Sequence, residues 1–353
     1  MNISYRSLIL LYCIHQIKCE RSIYGVFHIL TGKKSSQTIV DGEFFQLSPL
    51  FSVLKKLKRI EFIKHIDELS KKNLIEAVDE NIYKLTTNGQ QTLEQHSSLI
   101  VPAYINGWKY YDAGIQFWQR LSLIIQVLSN LIRDKRNYIT IQQDQHILTW
   151  AKQYLLTRKE SKQELASAIY KECEECLSVL SEDDAMIFVL RLSSSGRIGY
   201  TNQQIGSMLS LDEEQVEIYF MNVIHFMLMR IEHDPLTFPN LAEIKSTIPN
   251  RKYSLTESTA KTLDLLNQGN SLENIAFLRR LKLNTVEDHI VEIAHHVEAF
   301  KIEPYVSKEK QEEIIKTQKA LDTLKLKRIR EALHFDVSYF EIRLVLAKSG
   351  VNE

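Results

Sequence analysis

The chain has 353 residues, with 44 Lys and Arg against 44 Asp and Glu, so its formal net charge at pH 7 is zero. A composition of 44% hydrophobic and 25% charged residues excludes an intrinsically disordered chain and is typical of two or three globular domains. Proteins that bind along DNA usually carry a basic excess, so any nucleic-acid contact here has to come from a local basic patch.

Turn-forming residues and cysteines are scarce. Eleven Gly and six Pro predict long helices with short connections, and four Cys are too few and too clustered for a disulfide framework. The apolar run 8–14 lies between Arg6 and Lys18 and indicates an amphipathic helix. No other run approaches the ~18 apolar residues that a membrane span requires. We therefore expect a mainly α-helical cytoplasmic protein with no membrane contact.

Residues 1–100 have the pattern of a winged-helix-like module, such as those of bacterial transcription regulators. Helices are expected at residues 4–18, at 21–31, from Ser48 and at 59–70. Alternation with a period of two around the turn 79–81 then predicts a β-hairpin, the wing, and a helix follows from Gln90.

Seven cations make this module locally basic. They are Lys55, Lys56, Lys58, Arg59, Lys64, Lys71 and Lys72. Such a cluster suits phosphate contacts, and it equally fits the solvated face of an amphipathic helix, so the sequence leaves both interpretations open.

Residues 101–234 are expected to form a helical domain. Long helices at 108–134, 144–157 and 160–180 carry aromatic residues at helical spacing, which is typical of a core. A second helix-turn-helix is expected at 181–231, similar to that of sigma-factor-like regions. Its candidate reading helix begins with the acidic residues Asp212, Glu213, Glu214 and Glu217. Because carboxylates repel phosphates, a trihelical packing unit is the favoured interpretation.

Prolines at positions 235, 239 and 249 predict a linker, and a third domain is expected at residues 253–353. Three helices in its first half have helix-turn-helix spacing. The first ends at Gly269, Ser271 caps the second, and Asn284 caps the third. The second helix is expected to bury apolar side chains that include Ile275 and Leu278.

Two sets of residues in this domain are candidate nucleic-acid contacts. In the helix-turn-helix, Arg279, Arg280 and Lys282 are expected to contact phosphates, while Asn284, Thr285 and His289 approach bases. Beyond it, a helix over 307–333 ends in a basic stretch, where Lys325, Lys327, Arg328 and Arg330 are expected to contact phosphates.

The last helix begins at the capping box Ser338–Glu341 and ends before Gly350. It carries more apolar residues than one buried stripe requires. Either some of them face a partner, or the helix closes the domain against Ile290 and Ile293.

The segments TAKTLDLLNQGNSLENIAFLRRLKLNTVEDHIVEIA and SYFEIRLVLAKSG resemble the helicase-associated helix-turn-helix domain at the C-terminus of some bacterial RecQ-type helicases. The chain's length, its lack of a helicase motor and its helical first part look like the YpbB-type proteins, stand-alone members of that family. The resemblance implies a nucleic-acid-binding accessory factor that partners a RecQ-type helicase in DNA repair or recombination.

Motifs for catalysis are missing from the sequence. It contains no phosphate-binding loop, dinucleotide fingerprint or nucleophile elbow, so we expect neither an enzyme nor a cofactor. Cys173 and Cys176 have metal-ligand spacing, but no second pair accompanies them. His295 and His296 point about 100° apart on a helix, and the sequence places no carboxylate beside them. No metal site is expected.

A second class of function stays open. The acidic Glu287 and Asp288 near the start of the third helix favour a protein-interaction scaffold or a transcription regulator that uses helix-turn-helix folds. They are equally compatible with DNA binding that is weak or dependent on DNA structure.

Overall fold

The computed structural model describes residues 3–248 and 255–349. These residues are mainly helical, as predicted, with one small antiparallel sheet. They belong to two compact units: Met1–Ile9 with His96–Asn250 form the first unit, and Leu10–Gln95 with Arg251–Glu353 form the second. No helix in the described part of the chain is long and apolar enough to cross a membrane.

The first unit is a helical bundle. Its helices are α6 (Ser97–Ile100), α7 (Gly107–Ile132), α8 (Gln145–Leu156), α9 (Lys162–Leu177), α10 (Glu182–Leu190), α11 (Asn202–Leu209), α12 (Glu213–His233) and α13 (Pro239–Lys245), and it also takes in the first turn of α1 (Tyr5–Gln16). The three predicted long helices correspond to α7, α8 and α9. Phe117 and Phe188 are fully buried in the core, and Trp118 contacts Phe220 edge-on with ring centroids 4.8 Å apart, so the aromatic residues are core as expected.

The proline-containing stretch after α12 is not simply a linker, because α13 lies within it and packs into the core. Phe238, Leu241 and Ile244 are all fully buried. The side chain of Glu172 on α9 accepts hydrogen bonds from the backbone N–H groups of Asn240 (3.1 Å) and Leu241 (2.9 Å) and so satisfies the first turn of α13. The linker prediction is therefore wrong for α13, and the part of it at residues 249–253 lies outside the described residues.

The second helix-turn-helix is present as α11, a short turn and α12, and Thr201 with Gln204 forms the predicted capping box. Three of its four acidic residues are bonded within the first unit, and Glu213 is exposed. Asp212 accepts the backbone N–H of Tyr5, Glu214 pairs with Arg6, and Glu217 pairs with Arg191 at 3.4 Å. The start of α12 is therefore a packing surface, which supports the interpretation as a trihelical packing unit.

His225 on α12 makes the first unit sensitive to acid. The side chain is buried, its Nδ1 accepts the backbone N–H of Asn106 at 3.0 Å, and burial lowers the pKa of His225 to about 3. The unfolded chain protonates this imidazole near pH 6.5, so its contribution to stability is complete above that pH and is lost as the pH falls from 6.5 toward 3.

Between pH 7 and pH 5, we expect the unfolding free energy of the wild-type first unit to fall by about 2 kcal/mol more than that of a His225→Gln variant. Urea unfolding followed by Trp fluorescence measures this, because Trp108, Trp118 and Trp150 all lie in the first unit. A variant of the exposed His146, His146→Gln, should keep the wild-type dependence. Equal pH dependence in the wild type and in His225→Gln would contradict the prediction.

The second unit joins the two ends of the chain. It contains the rest of α1 and α2 (Ile23–Thr31), α3 (Ser36–Phe44), α4 (Arg59–Lys71), β1 (Ile75–Asp79), β2 (Ile82–Leu85), α5 (Thr87–Gln95), α14 (Glu257–Asn267), α15 (Leu272–Arg279), α16 (Leu283–His296), α17 (Lys308–Leu321), α18 (Leu326–Ala332) and α19 (Tyr339–Ser349). Val40 of α3 is buried in one core with Ile290 of α16 and Ile342 of α19.

The helix predicted from Ser48 is wrong. Only a 3₁₀ turn forms at Ser48–Leu50, and the helix in this region is instead α3, which the sequence analysis missed. The backbone at Ser52 has a positive φ of 66°, and its N–H and that of Leu54 donate to the carbonyls of Ile29 and Leu30 at the end of α2. Backbone groups bonded to another helix cannot continue a helix of their own.

The predicted hairpin is present. β1 pairs antiparallel with β2, Asn81 takes the left-handed conformation in the turn, and Glu76 faces Lys84 with their charged atoms 2.9 Å apart. Helix α4 precedes it and α5 follows, as a winged-helix-like arrangement requires. The seven cations predicted to make this region basic are all exposed.

The helix predicted over 307–333 is interrupted. α17 ends at Asp322, whose φ of 42° is left-handed, and α18 starts again at Leu326. Between them Thr323 is buried and donates its hydroxyl to Glu20 at 2.9 Å. This contact joins residues 303 positions apart in the chain, so a partner distant in sequence determines where the helix breaks.

The last helix closes the domain. Ser338 and Glu341 form the predicted capping box, and Ile342, Leu344 and Val345 of α19 are buried against α16. These side chains are part of the core, so the alternative in which they face a partner is excluded.

Candidate nucleic-acid interface

Helices α14, α15 and α16 form the C-terminal helix-turn-helix. Ser271 caps α15 by accepting the N–H of Asn274 (3.2 Å), and Gly269 has a φ of 83°, so both predictions hold. The third helix begins earlier than predicted: Lys282 occupies the N-cap position of α16, so Asn284 lies inside the first turn and is not the cap. The side chain of Lys282 makes no capping hydrogen bond, and in the first turn the N–H of Thr285 donates to the carbonyl of Lys282 at 2.9 Å.

A buried polar network holds α14 against α16. The carboxylate of Glu292 is fully buried and accepts hydrogen bonds from the backbone N–H of Thr256 and from the hydroxyl of Thr259 (2.6 Å). Thr256 in turn caps α14. The carboxylate therefore lies at the N-terminus of α14, where the helix dipole favours a negative charge.

Two of the predicted DNA contacts are engaged in bonds within the domain instead. The Arg279 guanidinium donates to the carbonyl (2.7 Å) and the hydroxyl (2.9 Å) of Ser258, and so ties α15 to α14. His289 is buried with its Nδ1 2.9 Å from the hydroxyl of Thr262. Burial, with the neighbouring Arg279 charge, lowers the pKa of His289 to about 4, so the imidazole is neutral at pH 7. Both predicted contacts are therefore corrected: His289 is buried, and the guanidinium of the half-buried Arg279 is held by Ser258.

The other four predicted residues lie at the surface around the turn. Arg280, Lys282 and Asn284 are exposed, and Thr285 is half-buried. Arg280 occupies the left-handed position that ends α15, with a φ of 52°, and this sends the chain into the first turn of α16. Two cations and an amide are thus grouped at the N-terminus of the candidate reading helix, and we name this group the turn cluster: Arg280, Lys282 and Asn284.

Apolar side chains adjoin the turn cluster. Phe277 is 81% exposed, and Leu278 and Leu283 are also exposed, although Leu278 was predicted to be buried. Ile275 is the residue of α15 that is fully buried. A large exposed aromatic side chain beside two cations is an unusual surface for a helix that only packs.

The acidic residues near the turn are less repulsive than the sequence indicates. Asp288 pairs with Arg343 of α19, so its charge is offset within the domain. Glu287 is half-buried, and burial raises its pKa. At the start of α16, the side chains of the turn cluster are therefore more exposed to solvent than the carboxylates of Glu287 and Asp288.

The second predicted set lies around a groove in the same unit. The groove has a volume of about 830 Å³, and Lys325 and Lys327 line one side of it. Arg330 lies outside it, with its guanidinium 5.0 Å from the ring centre of Tyr339 and 3.7 Å from Asp336, and Arg328 is exposed.

The opposite side of this groove comes from the N-terminal part of the chain, which the sequence analysis did not connect with it. Arg21, Tyr24 and His28 line it, and Arg21 pairs with Asp41, a further lining residue, at 3.0 Å. The Arg59 guanidinium lies 4.4 Å from the ring centre of Tyr24. Burial lowers the pKa of His28, and the charges of Lys33 and Arg59 lower it further. Cations interleaved with aromatic rings are typical of single-strand binding surfaces. The sequence predicted that residues 55–72 are basic, and Arg59 belongs to that stretch. No local pattern predicted that the N-terminal segment lines the same groove as Lys325 and Lys327.

Glu43 of α3 lies beside His295 and His296, which end α16. No carboxylate was predicted from the sequence to lie near these histidines. One ligand atom from each of the three residues lies within 4.8 Å of the others, and these residues make up the potential metal-binding group among the described residues. Cys173 and Cys176 are buried in the first unit, where burial raises the pKa of Cys176 to about 12 and disfavours the thiolate that a metal would need.

Comparison with known proteins agrees with the C-terminal fold. A family described as a helix-turn-helix domain matches residues 258–346, from α14 to α19. Protein YpbB of Bacillus subtilis (strain 168) is 37% identical over 352 residues, which cover 99% of this chain and 98% of that protein. No solved structure matches the chain. The C-terminal part of the second unit is therefore a helix-turn-helix domain, a fold that supports nucleic-acid binding.

Proposed function

Since the chain belongs to the family of protein YpbB, we propose that it is a non-catalytic, DNA-binding accessory factor of a RecQ-type helicase, acting in the cytoplasm in DNA repair or recombination. The turn cluster is the observation that carries the DNA-binding part of this proposal. Arg280, Lys282 and Asn284 are exposed where a reading helix begins. The positive end of the α16 dipole lies at the same place and favours a phosphate.

Weak, mainly electrostatic binding is what these residues support. The whole chain is neutral, and a few exposed cations at the turn can neutralise only a few phosphates. The groove offers a second surface in the same unit, where Lys325 and Lys327 lie with Tyr24 and Tyr339. Glu20 and Asp41 also line it, and Asp41 offsets the charge of Arg21. A duplex at the turn and an unpaired strand along aromatic rings would together favour forked DNA, the substrate class of a helicase.

The helicase partnership rests on the resemblance of residues 259–294 and 338–350 to helicase-associated domains. Core packing removes Ile342, Leu344, Val345 and Leu346 of α19 from any docking surface, whereas Tyr339 stays exposed and Phe340 half-buried. Exposed Phe277, Leu278 and Leu283 offer a more plausible contact, and they also favour the second candidate function, a protein-interaction scaffold.

We expect the full chain and a purified RecQ-type helicase of the same organism to form a complex at micromolar concentrations, stabilised by forked DNA. Size-exclusion chromatography with light scattering measures its mass. A Phe277→Ser/Leu278→Ser variant should weaken the complex, because it removes apolar surface without touching the core. Leu236→Ser, which alters an exposed leucine of the first unit, is the matched control.

Absence of a complex with and without forked DNA would rule out the partnership. A complex that forms equally well when the chain shows no affinity for any DNA would favour the scaffold. The two functions are thus separated by measuring DNA affinity and complex formation on the same protein.

A further inference from the structure

The C-terminal ends of α16 and α3 bring three metal-ligating side chains together. His295 and His296 are the last two residues of α16, and Glu43 lies on α3, whose Val40 is buried in the same core as Ile290 and Ile293. The packing of α3 on α16 therefore determines the position of Glu43. Two adjacent histidines alone are too few ligands for a metal site. The carboxylate of Glu43 from a second helix makes a candidate ligand set of two imidazoles and one carboxylate.

The orientation of His295 is the one that metal-bound histidines adopt. Its Nδ1 lies 3.1 Å from the backbone carbonyl of Ala347 and donates its proton there, which directs Nε2 toward Glu43. Histidine ligands commonly donate the second ring N–H to a carbonyl or carboxylate, and this fixes both the tautomer and the ring orientation.

The distance between His295 and Glu43 also fits an ion between them. Nε2 and the carboxylate Oε2 are 3.5 Å apart. A charge-assisted hydrogen bond between these groups would be about 2.7–2.9 Å long. Two ligands at about 2.1 Å from a tetrahedral zinc ion are about 3.4 Å apart, which is the edge of the coordination tetrahedron.

We propose that Glu43, His295 and His296 bind one divalent transition-metal ion of the zinc class, with a fourth position left for water or a partner's side chain. Two imidazoles with one carboxylate favour zinc over magnesium or calcium, which prefer sites built from oxygen ligands. The three ligand atoms lie within 4.8 Å of one another, so they are grouped near the spacing of about 3.4 Å that an open four-coordinate site requires.

The location adds an electrostatic contribution. Both histidines lie in the last turn of α16, where the unpaired carbonyls carry partial negative charge and favour a cation. The side chains of His295 and Glu43 are mostly shielded from solvent, at 11% and 27% exposure, so water competes weakly for the ion. A bound ion would join the N-terminal and C-terminal segments of the second unit.

The test uses the tag-free full chain after treatment with a chelator. Titration with Co²⁺ should produce visible absorption bands of a four-coordinate ion that saturate at one equivalent, and Zn²⁺ should displace them. Competition against a chromophoric chelator gives the Zn²⁺ affinity. We expect Glu43→Gln and His296→Gln each to weaken it by at least about tenfold.

Two controls separate this site from adventitious binding. Cys173→Ser/Cys176→Ser removes the buried cysteine pair, and His334→Gln removes an exposed histidine; both should keep the wild-type affinity and spectrum. Circular dichroism shows that each variant is folded. If a ligand variant fails to fold, the Co²⁺ spectrum of the wild type still tests the proposal. A spectrum typical of six-coordinate Co²⁺, or one without visible bands, would exclude the site. Unchanged Zn²⁺ affinity in a folded Glu43→Gln/His296→Gln variant would equally overturn it.

Discussion

A Glu292→Ala variant is expected to lose roughly 3 kcal/mol or more of the unfolding free energy of the second unit. Glu292 is fully buried and accepts the backbone N–H of Thr256 and the hydroxyl of Thr259. Removal of the carboxylate leaves these donors buried without their acceptor, and it leaves a cavity between α14 and α16.

Glu292→Gln is the conservative companion, because it keeps the volume and one acceptor oxygen. It should cost less than Glu292→Ala. Exposed Glu298, six residues on, provides the control, and Glu298→Ala is expected to stay within about 0.5 kcal/mol of the wild type. Urea unfolding by circular dichroism measures helix loss in the whole chain, while Trp fluorescence reports the first unit. Equal stability of Glu292→Ala and Glu298→Ala would show that the network contributes little.

An Arg280→Gln/Lys282→Gln variant is expected to bind forked DNA about tenfold more weakly at about 50 mM salt, with a salt-dependence slope smaller by about 2. The physical reason is the loss of two phosphate contacts with their released counterions. Fluorescence anisotropy over a range of salt concentrations measures both the affinity and the slope.

Lys261→Gln is the matched control, since Lys261 is a similarly exposed cation on α14 that pairs with Glu257. The groove is tested by changing Lys325, Lys327, Arg328 and Arg330 together to Gln, which should weaken binding of single-stranded DNA more than of duplex. Wild-type affinity in both variants at low salt would place the DNA contact elsewhere.

Local signals predicted the helical elements and most caps of the C-terminal domain. Ser271 and Gly269 take the predicted roles because capping depends on residues within one turn. The directions of Arg279 and Arg280 were not predictable from spacing. The left-handed backbone at Arg280 directs the Arg280 guanidinium to solvent, while the Arg279 guanidinium stays bonded to α14.

Contacts distant in sequence account for the other differences. Asp322 ends α17 without Gly or Pro because Thr323 bonds to Glu20, and Leu54 leaves helical geometry to bond with Leu30. Glu43 could not be matched with His295 from periodicity, since no local rule relates positions on α3 and α16. The candidate groove and the candidate metal site were missed for the same reason.

The union of both chain ends in one core has a consequence for synthesis on the ribosome. Glu20 and Thr323 are 303 residues apart in the chain. The core that buries Val40 cannot form until Ile290 has been synthesised. At about 5–20 residues per second, the first segment is exposed for roughly 15–60 s before its partner emerges. During that interval the apolar face of α3 is a target for chaperones, and premature termination would leave it permanently uncovered. Fragments that begin near residue 251 lack α3 altogether, so DNA-binding and metal measurements belong on the full chain.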